Sequence, residues 1–204
     1  MKQERAVRTR QALIESAATV FGRRGYAEAT LSMISVGAGV SPGALHFHFE
    51  NKAAVAEAVE AAGARALRAV ACEVYAQRTS ALQALADSSQ ALARLLLSDV
   101  VARAGFRLNR EPAYSPAYAL PREWHEYVHR LLTEAAQEGT LLPGLNLRNV
   151  AATVVAATLG FEALARDDPQ WLAPRTLAGF WRVVMPCLAL PATLRRLDTA
   201  GRRT

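Results

Sequence analysis

The 204-residue chain has only two cysteines, three methionines and, among its 24 basic residues, two lysines. Cys72 and Cys187 lie far apart with no histidine or cysteine at ligand spacing. That excludes a disulfide framework and a cysteine-built zinc site, and predicts two free, buried thiols. β-branched clusters are few, and no segment alternates with the period of a strand or repeats internally, so a sheet protein is excluded. No apolar run reaches membrane-spanning length: residues 150–160 come nearest and fall short. The polar N-terminus lacks a secretory pattern, so a cytoplasmic protein without a membrane partner is expected. Neither a glycine-rich phosphate loop, a nucleophile elbow nor a redox cysteine pair occurs. No cofactor and no catalytic group are expected on those grounds.

What is present is alanine, with apolar residues making up 51% of the chain. Such composition favours helices throughout, an all-α fold of one or two small domains. Arginine in place of lysine, with so much alanine, fits a GC-rich genome. The formal net charge is +6. Residues 1–27 carry Lys2, Arg5, Arg8, Arg10, Arg23 and Arg24 against Glu4 and Glu15, a net of +4. That basic arm suits a polyanion such as DNA. Arg195, Arg196, Arg202 and Arg203 form a second basic cluster, read as a frayed, soluble end.

The run from Ile34 to Phe49 reads as two short helices around a tight turn. Thr30 is an N-cap residue, and Leu31, Ile34 and Ala38 form one apolar stripe behind it. Gly39 stands where the first helix stops and a left-handed cap is needed. Val40 plugs the corner, Ser41 caps the second helix, and Pro42 takes its first position, where no amide is required. Small Ala38 and Ala44 let the helices cross closely. This order predicts a helix-turn-helix whose second helix enters a major groove N-terminus first.

These residues resemble the TetR family of transcriptional repressors. The pattern is met by Ile34, Ala38 to Ser41, Gly43, Leu45, His48 and Phe49, with Arg8, Phe21, Gly25, Tyr26, Thr30 and Lys52 at similar places. A narrower resemblance is to the γ-butyrolactone receptors and pseudo-receptors of streptomycetes. It rests on Gln3 to Ala6, Arg8 to Arg10, Gly43 to Leu45, Phe47 to Phe49, Val101 to Gly105, Arg107, Leu108, Trp124 and Thr158 to Gly160. It implies a homodimer binding a palindromic double-stranded DNA operator, released by a small-molecule effector. Thr30, Ser41, His46 and Lys52 would then hold phosphates. Gly43 would admit the DNA backbone, and Ala44 would touch a thymine methyl. His48 would contact phosphate or stabilise the helix end, while Phe47 and Phe49 would be domain core. Two positions depart from the receptors: Pro42 replaces a lysine that reaches the groove, and His46 replaces tyrosine. Loss of the lysine removes about 1–3 kcal/mol of base discrimination, so a different or looser operator is expected.

Further along, a first helix is expected over about 8–22, a fourth from Asn51 through Val70, and others over 82–98, 99–108, 121–139, 147–165 and 171–189. A loop fills 111–120, and Pro191 starts a short tail helix. The boundary is placed at 52/53: residues 1–52 bind DNA, and residues 53–204 bind ligand and dimerise. The 150–164 helix is apolar around most of its girth, which calls for cover on two sides. By resemblance, the last two long helices pair with a second copy in a four-helix bundle. Also by resemblance, Trp124 packs on the effector. Thr158, a hydroxyl on an apolar helix, is a candidate anchor, with Leu85, Val128 and Phe161 as walls. Gly63-Ala64 stands where some lactone receptors have a polar residue, which brings an antibiotic or its precursor into play as effector.

Two rival readings accompany this one. A small-molecule binding module with weakened operator reading follows from Pro42 and His46. A zinc hydrolase is suggested by His125-Glu126-Tyr127-Val128-His129, which matches HExxH on a helix. No third ligand is evident, and Leu132 stands where one continuation needs glycine.

Overall fold

In a computed structural model of the protein, residues 2–201 are described, Lys2 by its backbone alone. Ten α-helices follow in order: α1 Lys2–Glu28, α2 Leu31–Gly37, α3 Pro42–His48, α4 Lys52–Ala76, α5 Ala81–Ser98, α6 Val100–Leu108, α7 Leu120–Gln137, α8 Leu147–Leu164, α9 Pro174–Val184 and α10 Pro191–Leu194. The all-α expectation holds. Among the described residues the only extended pairing is an isolated bridge between Leu141 and Ala189.

Packing divides the chain into two units, one of Met1–Leu67 with Ser98–Leu120 and one of Arg68–Leu97 with Pro121–Thr204. The first therefore takes α6 as well as α1–α3 and the start of α4. Its core gathers Leu13, Ile14, Ala17 and Phe21 of α1, Ile34, Leu45 and Phe49 around the turn, and Val55 and Val59 of α4. Val101, Ala104 and Leu108 of α6 complete it. The second unit centres on Leu82, Leu85, Val128, Leu131, Val154 and the fully buried Trp181.

The caps behave as their residue types dictate. Thr30 and Ser41 Oγ atoms accept from the amides of Met33 and Ala44, each at 3.2 Å. Asn51 accepts from Ala54 at 2.9 Å, Asp99 from Val101 at 2.8 Å, and Asn146 from Asn149 at 3.2 Å. Each satisfies a donor that a helix start leaves unpaired.

Four expectations need correction. The first helix runs past Gly22 to Glu28, broken only at Gly25, whose φ of 75° suits glycine alone. The helix expected over 171–189 is three pieces: a 3-10 turn over Pro169–Leu172, then α9, then a second 3-10 turn over Met185–Cys187. Pro174 and Pro186 lack the amides a continuous helix would use. Both cysteines are exposed, not buried. Cys72 precedes the buried Val74 by two residues, which turns it to the other face of α4, and Cys187 lies in the 3-10 turn beside Pro186, where Leu188 and Ala189 take the buried places. Phe47, expected in the core, is 81% exposed. Leu45 and Phe49 occupy the buried positions at i and i+4, so the residue midway between them points outward. Of the C-terminal basic cluster, Arg202 and Arg203 lie outside the described residues.

Candidate functional site

The helix-turn-helix of the first unit is held by small-residue contacts. Ser16 of α1 donates its hydroxyl to the Ile34 carbonyl at 2.8 Å, a buried bond that ties α1 to α2. Gly37 lies against the Ser16 hydroxyl so closely that no Cβ would fit. Gly39 takes a φ of 66°, and the next amide, Val40 N–H, turns back to the Ser35 carbonyl at 3.0 Å. The turn is thus fixed by steric exclusion and one left-handed residue.

This frame orients α3. Leu45 faces the core, while Pro42, Gly43, His46 and Phe47 are exposed and Ala44 and His48 are half-buried. A Cβ on Gly43 would meet nothing nearer than the Ser41 hydroxyl at 4.0 Å. Packing does not require glycine there, which leaves its bare backbone open to a ligand. Thr30 and Ser41 use oxygen lone pairs as caps, and a hydroxyl so engaged still has its proton to donate. Both are exposed. Arg8 is exposed on α1, and the Arg10 guanidinium sits 5.1 Å from the centre of the Phe49 ring.

Lys52 has a role the sequence did not reveal. Its ammonium donates to the carbonyls of Tyr26, Ala27 and Ala29 at 2.8, 3.1 and 3.0 Å, and lies 4.5 Å from the centre of the Tyr26 ring. All three of its protons are committed to the end of α1. Lys52 therefore locks α1 to the start of α4, a structural role beside the phosphate contact expected of it. The signal available in the sequence was Gly25, which frees the end of α1 to turn its carbonyls to one point.

A second feature of this unit has no signal in the sequence. Glu60 is fully buried in α4. Its carboxylate accepts from Asn109 Nδ2 at 2.7 Å, Tyr114 Oη at 2.8 Å and the Ala117 amide at 3.0 Å. A buried charge is tolerated when donors converge on it in this way. It gathers the loop expected over 111–120 onto α4. Burial, with the Glu60 bond and charge behind it, pushes the Tyr114 phenol well above its ordinary range. Gly63 and Gly105 mark a close approach of α4 and α6: a Cβ on Gly105 would lie 3.2 Å from the Val59 carbonyl and 3.3 Å from Gly63 Cα. The small residue at 63 thus has a packing reason, whatever the effector.

In the second unit two candidate effector residues meet. Trp124 Nε1 donates to Thr158 Oγ1 at 3.2 Å, and Thr158 donates onward to the Val154 carbonyl at 2.9 Å. Trp124 stacks on Tyr127, with centroids 5.5 Å apart. The Tyr127 hydroxyl is 2.8 Å from Ser88 Oγ and donates to the Ala71 carbonyl at 3.4 Å. Burial raises the Tyr127 phenol pKa. Leu85 and Val128 are fully buried in the same apolar cluster, against which Trp124 packs. Thr158 and Phe161 instead border a cavity of about 20 Å³ with Ser89, Leu92, Leu96 and Leu177. That is room for about one water, against the several hundred Å³ of a small-molecule pocket. An effector would enter this cavity only as its side chains part. The Trp181 indole N–H is buried in the apolar cluster without a partner among the described residues, which sequence periodicity could not reveal. Elsewhere in this unit a cleft of about 430 Å³ has a mixed lining, with Ser80, Gln83, Thr140 and Arg196 beside the apolar Ala192 and Leu197.

The HExxH helix is α7. His125 and His129 stack with centroids 6.3 Å apart, and Glu126 accepts from Arg122 at 3.1 Å. Among the described residues, no group of three or more histidine, cysteine, aspartate or glutamate side chains converges as a metal site.

Comparison with known proteins agrees with both units. Residues 13–59 match the model of the bacterial regulatory proteins of the tetR family, and residues 79–190 match that of the tetracycline repressor-like C-terminal domain. The A-factor receptor protein of Streptomyces griseus is 31% identical over 202 residues, covering 98% of this chain and 71% of that protein. A crystal structure of an ArpA-like γ-butyrolactone receptor aligns with a TM-score of 0.85 at 31% identity, over 96% of each chain. CprB from Streptomyces coelicolor, in complex with its biological operator sequence, aligns with a TM-score of 0.80 at 32% identity, over 94% of each chain. With one family model covering the helix-turn-helix and another more than half of the chain, this protein belongs to the TetR family of bacterial transcription regulators.

Proposed function

We propose that this chain is a homodimeric repressor of secondary-metabolite genes, released from a palindromic operator by a γ-butyrolactone-type signal, an antibiotic or an antibiotic precursor. The observation that carries the DNA half is α3, capped by Ser41 and held by the Leu45 and Phe49 anchors so that Pro42, Gly43, His46 and Phe47 face outward. Arg8, Thr30, Ser41, His46 and His48 then serve as positioning contacts to phosphates, with Gly43 and Ala44 nearest the bases. Pro42, which offers no donor, shifts the operator away from the one a lysine at that place would read. Acting on DNA, such a protein works in the cytoplasm.

The effector half rests on Trp124 and Thr158, already hydrogen-bonded to each other, and on similarity to lactone receptors along nearly the whole chain. A lactone carbonyl could take over the indole N–H while Leu85, Val128 and Phe161 supply apolar walls. The effector would bind a conformer in which this layer has opened and α4, which contributes to both packing units, is displaced. Release is then a population shift: ligand favours a state that fits the operator less well.

Dimerisation is supported by α8, whose mean hydropathy is 1.2 although only 22% of it is buried within the monomer. Leu164 of α8 and Val183 of α9, the latter 74% exposed, add to that uncovered apolar surface. A twofold partner would cover it and would set two α3 helices about one DNA turn apart. Genomic binding and sequencing with the purified protein at fixed salt tests the reading. Enrichment of a palindrome is expected, and only salt-sensitive, sequence-blind binding would sink it. Val183→Glu, by sedimentation, should shift the protein toward monomer and weaken operator binding.

A further inference from the structure

The outward face of α3 has an unusual chemistry for a helix that reads bases. Across residues 41–49 there is no arginine, lysine, asparagine or glutamine. Those are the side chains that read guanine and adenine by paired hydrogen bonds. Ser41 Oγ is engaged as a cap, and Pro42 and Gly43 offer no side-chain donor. His46 is the one exposed polar side chain on α3. Beside it stands Phe47, 81% exposed, one turn along from the bare Gly43 backbone. The His48 ring meets the Phe47 ring edge-on, with centroids 5.2 Å apart and planes at 85°. That contact limits the rotamers Phe47 samples, so the exposed ring is a presented group. Phe49, two residues on, is buried, so the core has no vacancy that calls for Phe47.

An exposed phenyl ring in water has nothing to gain unless a partner covers it. In a major groove, the only apolar group on the base edges is the C5-methyl of thymine. We propose that Phe47 is a specificity-determining residue that reads thymine through its methyl group, so that operator choice depends on apolar contact more than on hydrogen-bonded readout. The inference rests on α3 being the DNA-reading helix. It extends that reading by naming the base feature and the side chain that recognises it.

The test uses the full-length protein and the palindromic duplex it enriches from random DNA. Each thymine is replaced in turn by deoxyuridine, symmetrically in both half-sites, which deletes one methyl per half-site and leaves every hydrogen-bonding edge intact. At one symmetric position, wild type should bind about fourfold more weakly per methyl removed, as expected for the loss of one buried methyl-sized group. Phe47→Ala should bind the thymine and deoxyuridine duplexes equally, while Phe47→Leu should keep part of the difference. Because Phe47 is exposed, both variants should melt as wild type does. A Phe47→Ala variant that weakens both duplexes by the same factor would overturn the inference, since the ring would then pack on sugar or phosphate. So would the lack of any methyl-sensitive position in wild type. Either result would leave the regulator reading intact. Failure of wild type to form any sequence-specific complex would overturn both.

Discussion

Trp124 donates its indole N–H to the hydroxyl of Thr158, 34 residues away on another helix, and that hydroxyl in turn donates to the Val154 carbonyl. The pair explains the Thr158 hydroxyl without invoking a ligand. It also defines what an effector must do, because a ligand oxygen bound by Trp124 must replace Thr158 as acceptor.

Thr158→Val keeps the shape of the side chain and leaves the half-buried indole N–H without its acceptor. The variant should lose about 1 kcal/mol of stability in urea unfolding. Operator affinity should stay within about twofold, because the change lies outside the packing unit that carries α3. Trp124→Phe combined with Thr158→Val should cost less than the two singles added together, since they share one bond. Additive losses would show that the hydrogen bond carries no energy. In the proposed function, Trp124→Ala should abolish release by effector while DNA binding persists.

Lys52→Met separates a structural lysine from a phosphate-binding one. Loss of three bonds to the end of α1 should lower stability by about 2 kcal/mol. At a temperature where the variant is folded, the slope of log affinity against log salt should match wild type. Arg8→Gln should instead reduce that slope by about one per subunit and leave stability unchanged. A salt slope that drops in Lys52→Met would return Lys52 to the phosphates.

Tyr114→Phe tests the Glu60 hub through pH. The folded-state phenol is raised above its unfolded value, so the stability it contributes is complete below about pH 10 and is lost as pH rises beyond that, when the unfolded chain ionises and the folded chain resists. The variant should be less stable at neutral pH by about 2 kcal/mol, the order of a hydrogen bond to a charged group. Its stability should then decline less steeply than that of wild type above pH 10. Tyr127, also raised, keeps part of the slope in both proteins. Parallel curves for the two proteins would refute the assignment.

Gly105→Ala probes the crossing of α4 and α6. The added methyl would sit 3.2 Å from the Val59 carbonyl, where backbone must give way. Overpacking of this kind should exceed the roughly 1 kcal/mol that alanine gains as a helix former, for a net loss of about 1–2 kcal/mol in urea unfolding. A stabilised variant would mean the helices have room to part.

What the sequence alone determines is what short range decides. Thr30, Ser41, Asn51, Asp99 and Asn146 cap helices because a side-chain oxygen reaches an amide two or three residues on, a reach that spacing alone fixes. Gly39 at positive φ and Pro42 at a first helical position are likewise local requirements. Together they dictated the helix-turn-helix and, with the alanine-rich composition, the all-helical fold. Tertiary structure alone decided what depends on groups far apart in the chain. It turned Phe47 outward because Leu45 and Phe49 had filled the core, and drew Lys52 to carbonyls 23 to 26 residues before it. It buried Glu60 where three donors from residues 109–117 converge, and paired Trp124 with Thr158. An exposed phenylalanine and a buried glutamate both run against the ordinary preference of their residue types. Their placement follows from which surfaces meet, and helical period along one chain cannot record that.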